Sequence, residues 1–90
     1  MPEDRTFRCR VLTAEESFLD VEAVSAIFPA ADGMVGVLPG RLPLVAALGA
    51  GRVTVRRPGR QYRIVVEGGA AHLRDNVLTI LAEKAQRPGR

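Results

Sequence analysis

The side chains able to do chemistry in this 90-residue chain are few and scattered. His72 is the sole histidine, so a two-histidine metal site cannot be assembled, and the acids fall singly along the outer faces of strand-like segments. Cys9 has neither a histidine nor a second cysteine near it in sequence, which reads as a small buried hydrophobe rather than an activated thiol. Ser17 and Ser25 lie in strand-like contexts, not on the sharp turn that a nucleophilic serine needs. His72 reads as an ordinary strand histidine rather than a pH switch. No catalytic constellation, metal site or cofactor site emerges, and the expectation is a protein that is not an enzyme.

What remains is charge and turn chemistry. Residues 1–50 carry seven acids and four bases, whereas residues 51–90 carry three acids and nine bases, so the second half holds a basic face. Lys84 is the only lysine; the other cations are arginines, whose planar forks suit carboxylate partners. That face reads either as simply solvated or as a binding surface. A basic β-barrel that binds nucleic acid is the alternative from another class, but stacking aromatics should then interleave with the arginines, and only Tyr62 is available.

The elements that must position these groups are strands. Asp32-Gly33 and Pro39-Gly40 form two turns that bracket Met34–Leu38, a run too short for a helix and containing two valines. Before this corner Phe7, Cys9 and Val11 alternate with Thr6, Arg8 and Arg10, and Leu19, Val21 and Ala23 alternate with Asp20 and Glu22. From Val24 the apolar set slips by one residue to Val24, Ala26 and Phe28, which implies a bulge or a strand bending from one sheet into another. After the corner Leu44–Leu48 reads as a short strand between Pro43 and Gly49.

The second half contains clearer hairpins. Val53 and Val55 alternate with arginines, the chain turns at Pro58-Gly59, and Tyr62, Ile64 and Val66 return. Gly68-Gly69 interrupts, either as a β-bulge or as a point where a partner's backbone approaches closely. Asp75-Asn76 turns the chain into a last strand with Leu78 and Ile80 on one side. About eight to ten short strands with closely spaced turns predict an all-β antiparallel sandwich or barrel.

Size and composition agree with that class. Ninety residues make one domain with a single core, and 47% apolar residues exclude a disordered chain. With 4% aromatics and no tryptophan, the core must be built mainly from Val, Leu, Ile and Ala. No apolar run approaches the ~20 residues of a membrane-spanning helix, and the acidic start lacks the pattern of a signal peptide, so a soluble cytoplasmic protein is expected. A single cysteine fits a reducing compartment.

The stretch Asp32-Gly33-Met34-Val35-Gly36-Val37-Leu38-Pro39-Gly40-Arg41-Leu42-Pro43-Leu44 resembles the signature of the epsilon subunit of F-type ATP synthases, acid-Gly-x-x-Gly-x-x-Pro-Gly-His-x-Pro-Leu. Val11-Leu12-Thr13-Ala14-Glu15 looks like that family's opening strand and turn, Glu67-Gly68-Gly69 like its Ser-Gly-Gly, and Val77–Glu83 like its last strand. The resemblance covers residues 7–85. It implies a ten-stranded β-sandwich over 1–85 followed by a short flexible tail at 86–90. It also implies a non-catalytic place at the foot of the central stalk, between the gamma subunit and the polar loops of the c ring, in a motor that couples rotary ion transport to ATP synthesis and hydrolysis. Such a subunit would be a monomer when isolated and peripheral to the cytoplasmic face of the inner (plasma) membrane, without binding nucleic acid.

On this resemblance Asp32, Gly33, Met34 and Arg41 are expected to face the c ring, and Glu67, Gly68 and Gly69 to contact gamma. Arg41-Leu42 stands where the family usually has His-Ala, and Met34 replaces a residue that is often acidic, so an arginine seeking a carboxylate or carbonyl and a methionine seeking an apolar patch are expected here. The family usually continues into a helical hairpin that restrains hydrolysis and in some members binds ATP. Pro88 and Gly89 break helices, so the expectation is a chain without that hairpin, its inhibition or its nucleotide.

Overall fold

The computed structural model describes residues 5–88, and they form eight strands and no helix. β1 (Phe7–Leu12), β2 (Ser17–Ala23), β3 (Ser25–Ala30) and β4 (Gly33–Val37) make up the first half. β5 (Leu44–Ala47), β6 (Ala50–Arg57), β7 (Arg60–Arg74) and β8 (Val77–Gln86) complete the chain.

Alternation fixes the inner face of each strand. Phe7, Cys9 and Val11 of β1 are at most 1% exposed while Arg8 lies outside, and Val53 and Val55 of β6 are buried between Arg52 and Arg56. The phase slip read at Val24 is a change of layer. β2 pairs only with β1, the chain bends at the single residue Val24, and β3 then pairs with β6 and β4. The Val24 N–H donates to the Arg56 carbonyl at 2.8 Å, so the bend leaves no orphan donor.

β7 and β8 serve both layers. The first half of β7 pairs with β6 and its second half with β5, while β8 runs antiparallel beside it from Val65↔Gln86 to Arg74↔Val77. One layer is therefore β2, β1, the start of β8, the end of β7 and β5; the other is the end of β8, the start of β7, β6, β3 and β4. This is why the count is eight rather than about ten: two strands continue through the corner and contribute a segment to each sheet. One pairing is not antiparallel. β1 and β8 run parallel from Arg8↔Val77 to Leu12↔Leu81, because the two ends of the chain meet side by side with no hairpin between them.

The corner sits at Gly68-Gly69. Ile64 and Val66 point inward before it, Ala71 and Leu73 after it, so the buried parity of β7 switches across the two glycines while its register with β8 is kept. Their φ values are +70° and +116°. A Cβ on Gly69 would lie 2.9 Å from the Ala82 Cα and closer still to the Leu81 carbonyl oxygen. The strand that approaches closely here is the chain's own β8, neither a partner's backbone nor a break in the β7–β8 register.

A single cluster fills the sandwich, with Phe7, Val11, Phe28, Val53, Val55, Leu73, Leu78 and Ile80 among its members. Burying one such large side chain contributes roughly 1.5–3 kcal/mol. Of the expected tail, Gln86 closes β8 and Arg87 donates to the Phe18 carbonyl at 2.9 Å with its guanidinium over the Phe18 ring; residues 89 and 90 lie outside the described region. No helix among the described residues is long and apolar enough to cross a membrane.

Two outcomes follow from this packing. Gly69→Ala combines a clash with backbone and a φ that L-residues avoid, and should cost about 3 kcal/mol or more, whereas Gly36→Ala, with open space around the new methyl, should stay within about 1 kcal/mol of the parent. Urea midpoints of the two variants measure the contrast, and equal midpoints would contradict it. Burial pushes the Cys9 thiol from its ordinary 9.0 up to about 12. The folded state then holds this proton where the unfolded chain releases it, so stability from this group is intact below pH 9 and falls by about 1.4 kcal/mol per pH unit between pH 9 and about 12. Cys9→Ala should remove that slope, and Cys9 in the parent should resist thiol dyes in native buffer until denaturant is added.

Candidate functional site

The signature stretch folds as its turn chemistry requires. Ala31-Asp32 and Pro39-Gly40 are turns, and β4 between them is an edge strand paired only with β3. Asp32 and Gly33 occupy the start of that edge, and Met34, opposite Pro29, is 61% exposed. Arg41 folds back so that its guanidinium donates to the Gly36 carbonyl of its own chain, a partner other than the one sought across the ring-facing edge, and occupies an acceptor of the edge strand. The four residues expected to face the ring therefore lie along one strand edge: Asp32, Gly33 and Met34 at one end, Arg41 anchored near the other.

Around them is an apolar surface that the sequence reading did not single out. Leu38, just after β4, is 64% exposed, Leu42 80%, and Val45 on β5 83%. Three large aliphatic groups this exposed within one short segment make it a candidate interaction surface. Val45 stands opposite His72, and both line a depression of about 660 Å³ with Pro43, Leu44, Leu73, Arg74 and Asp75.

The Pro39-Gly40 turn is held by a residue that sequence reasoning treated only as a turn former. Asn76, at φ +64°, accepts from the Gly40 N–H through Oδ1 at 3.1 Å and donates through Nδ2 to the Thr6 carbonyl at 2.7 Å. Its own carbonyl accepts from the Arg8 N–H at 3.0 Å. One side chain thus ties the β7–β8 hairpin to the strand leading into β1 and to the signature loop. Separations of 70 and 36 residues leave no local signal of these contacts.

Glu67, Gly68 and Gly69 lie in the middle of β7. The Gly68 N–H donates to the Gly49 carbonyl at 3.1 Å, the Leu48 N–H to the Gly69 carbonyl at 3.0 Å, and the Gly49 N–H to the Pro29 carbonyl at 3.0 Å. The Ala31 N–H donates to the Ala47 carbonyl at 2.9 Å, completing a path of backbone hydrogen bonds from the β7 corner to the Asp32-Gly33 turn. The two candidate regions are therefore mechanically joined. Beside the corner, Ala14, Glu15, Gly69, Ala70, Leu81, Ala82 and Glu83 line a depression of about 480 Å³.

Electrostatics separates the two layers. On the outside of β1 and β2 Arg8 Nε lies 2.6 Å from Asp20 Oδ1, with Glu22 at 3.5 Å, and Arg10 reaches Asp20 at 3.9 Å. The Arg8 hydrogen bond holds the Asp20 carboxyl below its ordinary range. These pairs are exposed and act as local charge balance. No group of three or more His, Cys, Asp or Glu side chains that could hold a metal occurs among the described residues.

The family described as ATP synthase, Delta/Epsilon chain, beta-sandwich domain matches residues 6–88. The ATP synthase epsilon chain of Pelotomaculum thermopropionicum is 32% identical over 84 residues, covering 93% of this chain and 63% of that one. The epsilon chain of a Synechococcus species is 35% identical over 82 residues, covering 91% and 60%. This chain thus spans about six-tenths of the length of these curated relatives. Among solved structures, one of Euglena gracilis mitochondrial ATP synthase (OSCP/F1/c-ring) contains a chain that superposes with a TM-score of 0.84 at 24% identity, covering 92% of this chain and 54% of its own. A chain in the central stalk and c-ring structure from Tetrahymena thermophila gives 0.74 at 11%, covering 89% and 65%. Those two likenesses establish the sandwich, and the sequence match across its eight strands establishes the lineage: this chain belongs to the β-sandwich domain family of ATP synthase delta and epsilon chains.

Proposed function

We propose that this chain serves as the epsilon subunit of an F-type ATP synthase, a non-catalytic part of the central stalk that docks the gamma subunit onto the c ring. The observation that carries the reading is the match to chains named ATP synthase epsilon over more than nine-tenths of this sequence, with the Asp32–Leu44 stretch folded as turn, strand and turn. In this role the β4 edge with Asp32, Gly33, Met34 and Arg41 meets the c ring, and the region of Glu67, Gly68 and Gly69 contributes to the gamma contact. The domain is a peripheral subunit on the cytoplasmic face of the inner membrane, and torque passes through it without a chemical step of its own.

The physical requirements of such a part are met by what is built here. A stalk element must be stiff, and the two candidate regions are linked through backbone hydrogen bonds rather than side-chain packing alone. A ring-facing edge must present exposed groups that a partner's loops can bury. Met34, Leu38 and Leu42 present flexible or branched apolar surface there, with the Arg41 guanidinium bound to the Gly36 carbonyl on the same strand as Met34.

Reconstitution with the cognate gamma subunit and c ring tests the assignment. Co-migration with gamma, and ion pumping that depends on adding this chain, are the expected results; a chain that binds neither partner is not this subunit. Arg41→Glu should lower pumping while leaving the isolated domain's stability within about 0.5 kcal/mol, since the residue is exposed. Unchanged pumping would make Arg41 a loop anchor only. Asn76→Gly keeps the backbone conformation of the hairpin turn but removes both side-chain hydrogen bonds, so it should destabilise the fold by about 1–3 kcal/mol and speed amide exchange at Gly40. Unaltered exchange at Gly40 would show that the loop holds itself.

A further inference from the structure

We propose that the outer face of the β6-containing layer is a docking surface for an acidic protein segment that carries an aliphatic side chain among its carboxylates. This inference does not rest on the ring and gamma assignments above, although residues of both regions border the face it concerns, Met34 and Gly36 on the β4 side and Glu67 at the corner.

The register draws the surface. Across the sheet, Arg63 of β7, Thr54 of β6, Ile27 of β3 and Gly36 of β4 stand in one row. Arg52 and Arg56 lie two residues to either side of Thr54 on the same outward face. With strands roughly 4.8 Å apart and successive outward residues roughly 6.7 Å apart, three guanidinium stems and one branched aliphatic group surround Thr54. Ile27 is 46% exposed, and the three arginines are exposed. Arg41 closes the row where its guanidinium covers Gly36.

No carboxylate lies within 4 Å of Arg52, Arg56 or Arg63 among the described residues, in contrast to Arg8 and Arg10 on the other layer. Among the described residues the face has one acid, Glu67, which stands opposite Lys84 at the corner. Clustered like charges repel one another and favour a counter-charged partner. The groups also select its chemistry. Tyr62 packs toward the core, so no aromatic ring is offered on this face for bases to stack upon. Ile27, with Met34 farther out on β4, is too little apolar surface among these arginines to insert into a lipid layer, whereas it suits an aliphatic contact within a protein interface whose rim is charged. Arginine forks, unlike lysine, can donate two parallel hydrogen bonds to one carboxylate.

The test titrates the full isotope-labelled chain with a synthetic peptide in which pairs of glutamates flank leucines. The same peptide with glutamine for glutamate, vesicles of phosphatidylglycerol and a DNA duplex are run in parallel. The proposal expects saturable amide shifts centred on Ile27, Thr54 and Arg63 with the glutamate peptide. The affinity should drop about tenfold in Arg52→Glu/Arg63→Glu and by a smaller factor in Arg52→Lys/Arg63→Lys, which keeps the charge but loses the forks. Circular dichroism confirms that each variant is folded. An absent or non-saturating shift, a map on the β1–β2 face, equal binding of the glutamine peptide, or tighter binding of vesicles or DNA would each overturn it. Lysine variants that bind as well as the parent would also overturn it, because charge alone would then suffice.

Discussion

The contact on which the sandwich depends is the passage of the β7 backbone over β8 at Gly69. There the Leu81 carbonyl and the Ala82 Cα occupy the space that any side chain would need. Because the two strands pass so closely, they can change the face they present to the core without losing register, and two continuous strands can belong to both layers. A 90-residue domain has little core to spare, and sharing strands between sheets lets one hydrophobic cluster take side chains from every strand but β5, whose Leu44 and Ala46 pack against it. The same corner presents the Gly69 carbonyl to the Leu48 N–H, which begins the hydrogen-bonded path toward the Asp32-Gly33 turn. Fold and site therefore share one constraint.

What could be read in advance was whatever is encoded locally. Alternation placed Phe7, Cys9, Val53, Ile64 and Ile80 inside, turn dipeptides located the hairpins, and the slip at Val24 marked the change of layer. What could not be read lies in contacts between distant residues. The parallel pairing of β1 with β8, the reach of Asn76 to Thr6 and Gly40, and the latch of Arg87 on Phe18 join positions tens of residues apart and leave no periodic trace. Gly68-Gly69 shows the boundary between the two cases. The pair read as a bulge or as a partner's close approach, and only the fold identifies β8 as the strand that passes there.

The candidate edge was legible by type more than by arrangement. Arg41 was expected to seek a carbonyl or a carboxylate, and it is bound to a carbonyl within its own loop. Leu38, Leu42 and Val45 were read as parts of a turn and a short strand, yet they are the most exposed of the large hydrophobic residues described. Apolar residues in a loop carry no sequence signal of whether they fold inward, because that depends on where the Asn76 tether holds the loop.

Charge is distributed by layer and not by sequence position alone. The arginines of β1 find carboxylates on the adjacent β2, because the two strands alternate in phase and place Arg8 opposite Glu22 and Arg10 opposite Asp20. The arginines of β6 have no such neighbour: β3 offers Ser25 and Ile27, and β7 offers Gln61, Arg63 and Val65. Strand pairing thus decides which guanidinium groups are neutralised within the domain. A composition biased toward arginine supplies the charges, but the strand order determines that one face is balanced internally and the other keeps its field for whatever it meets.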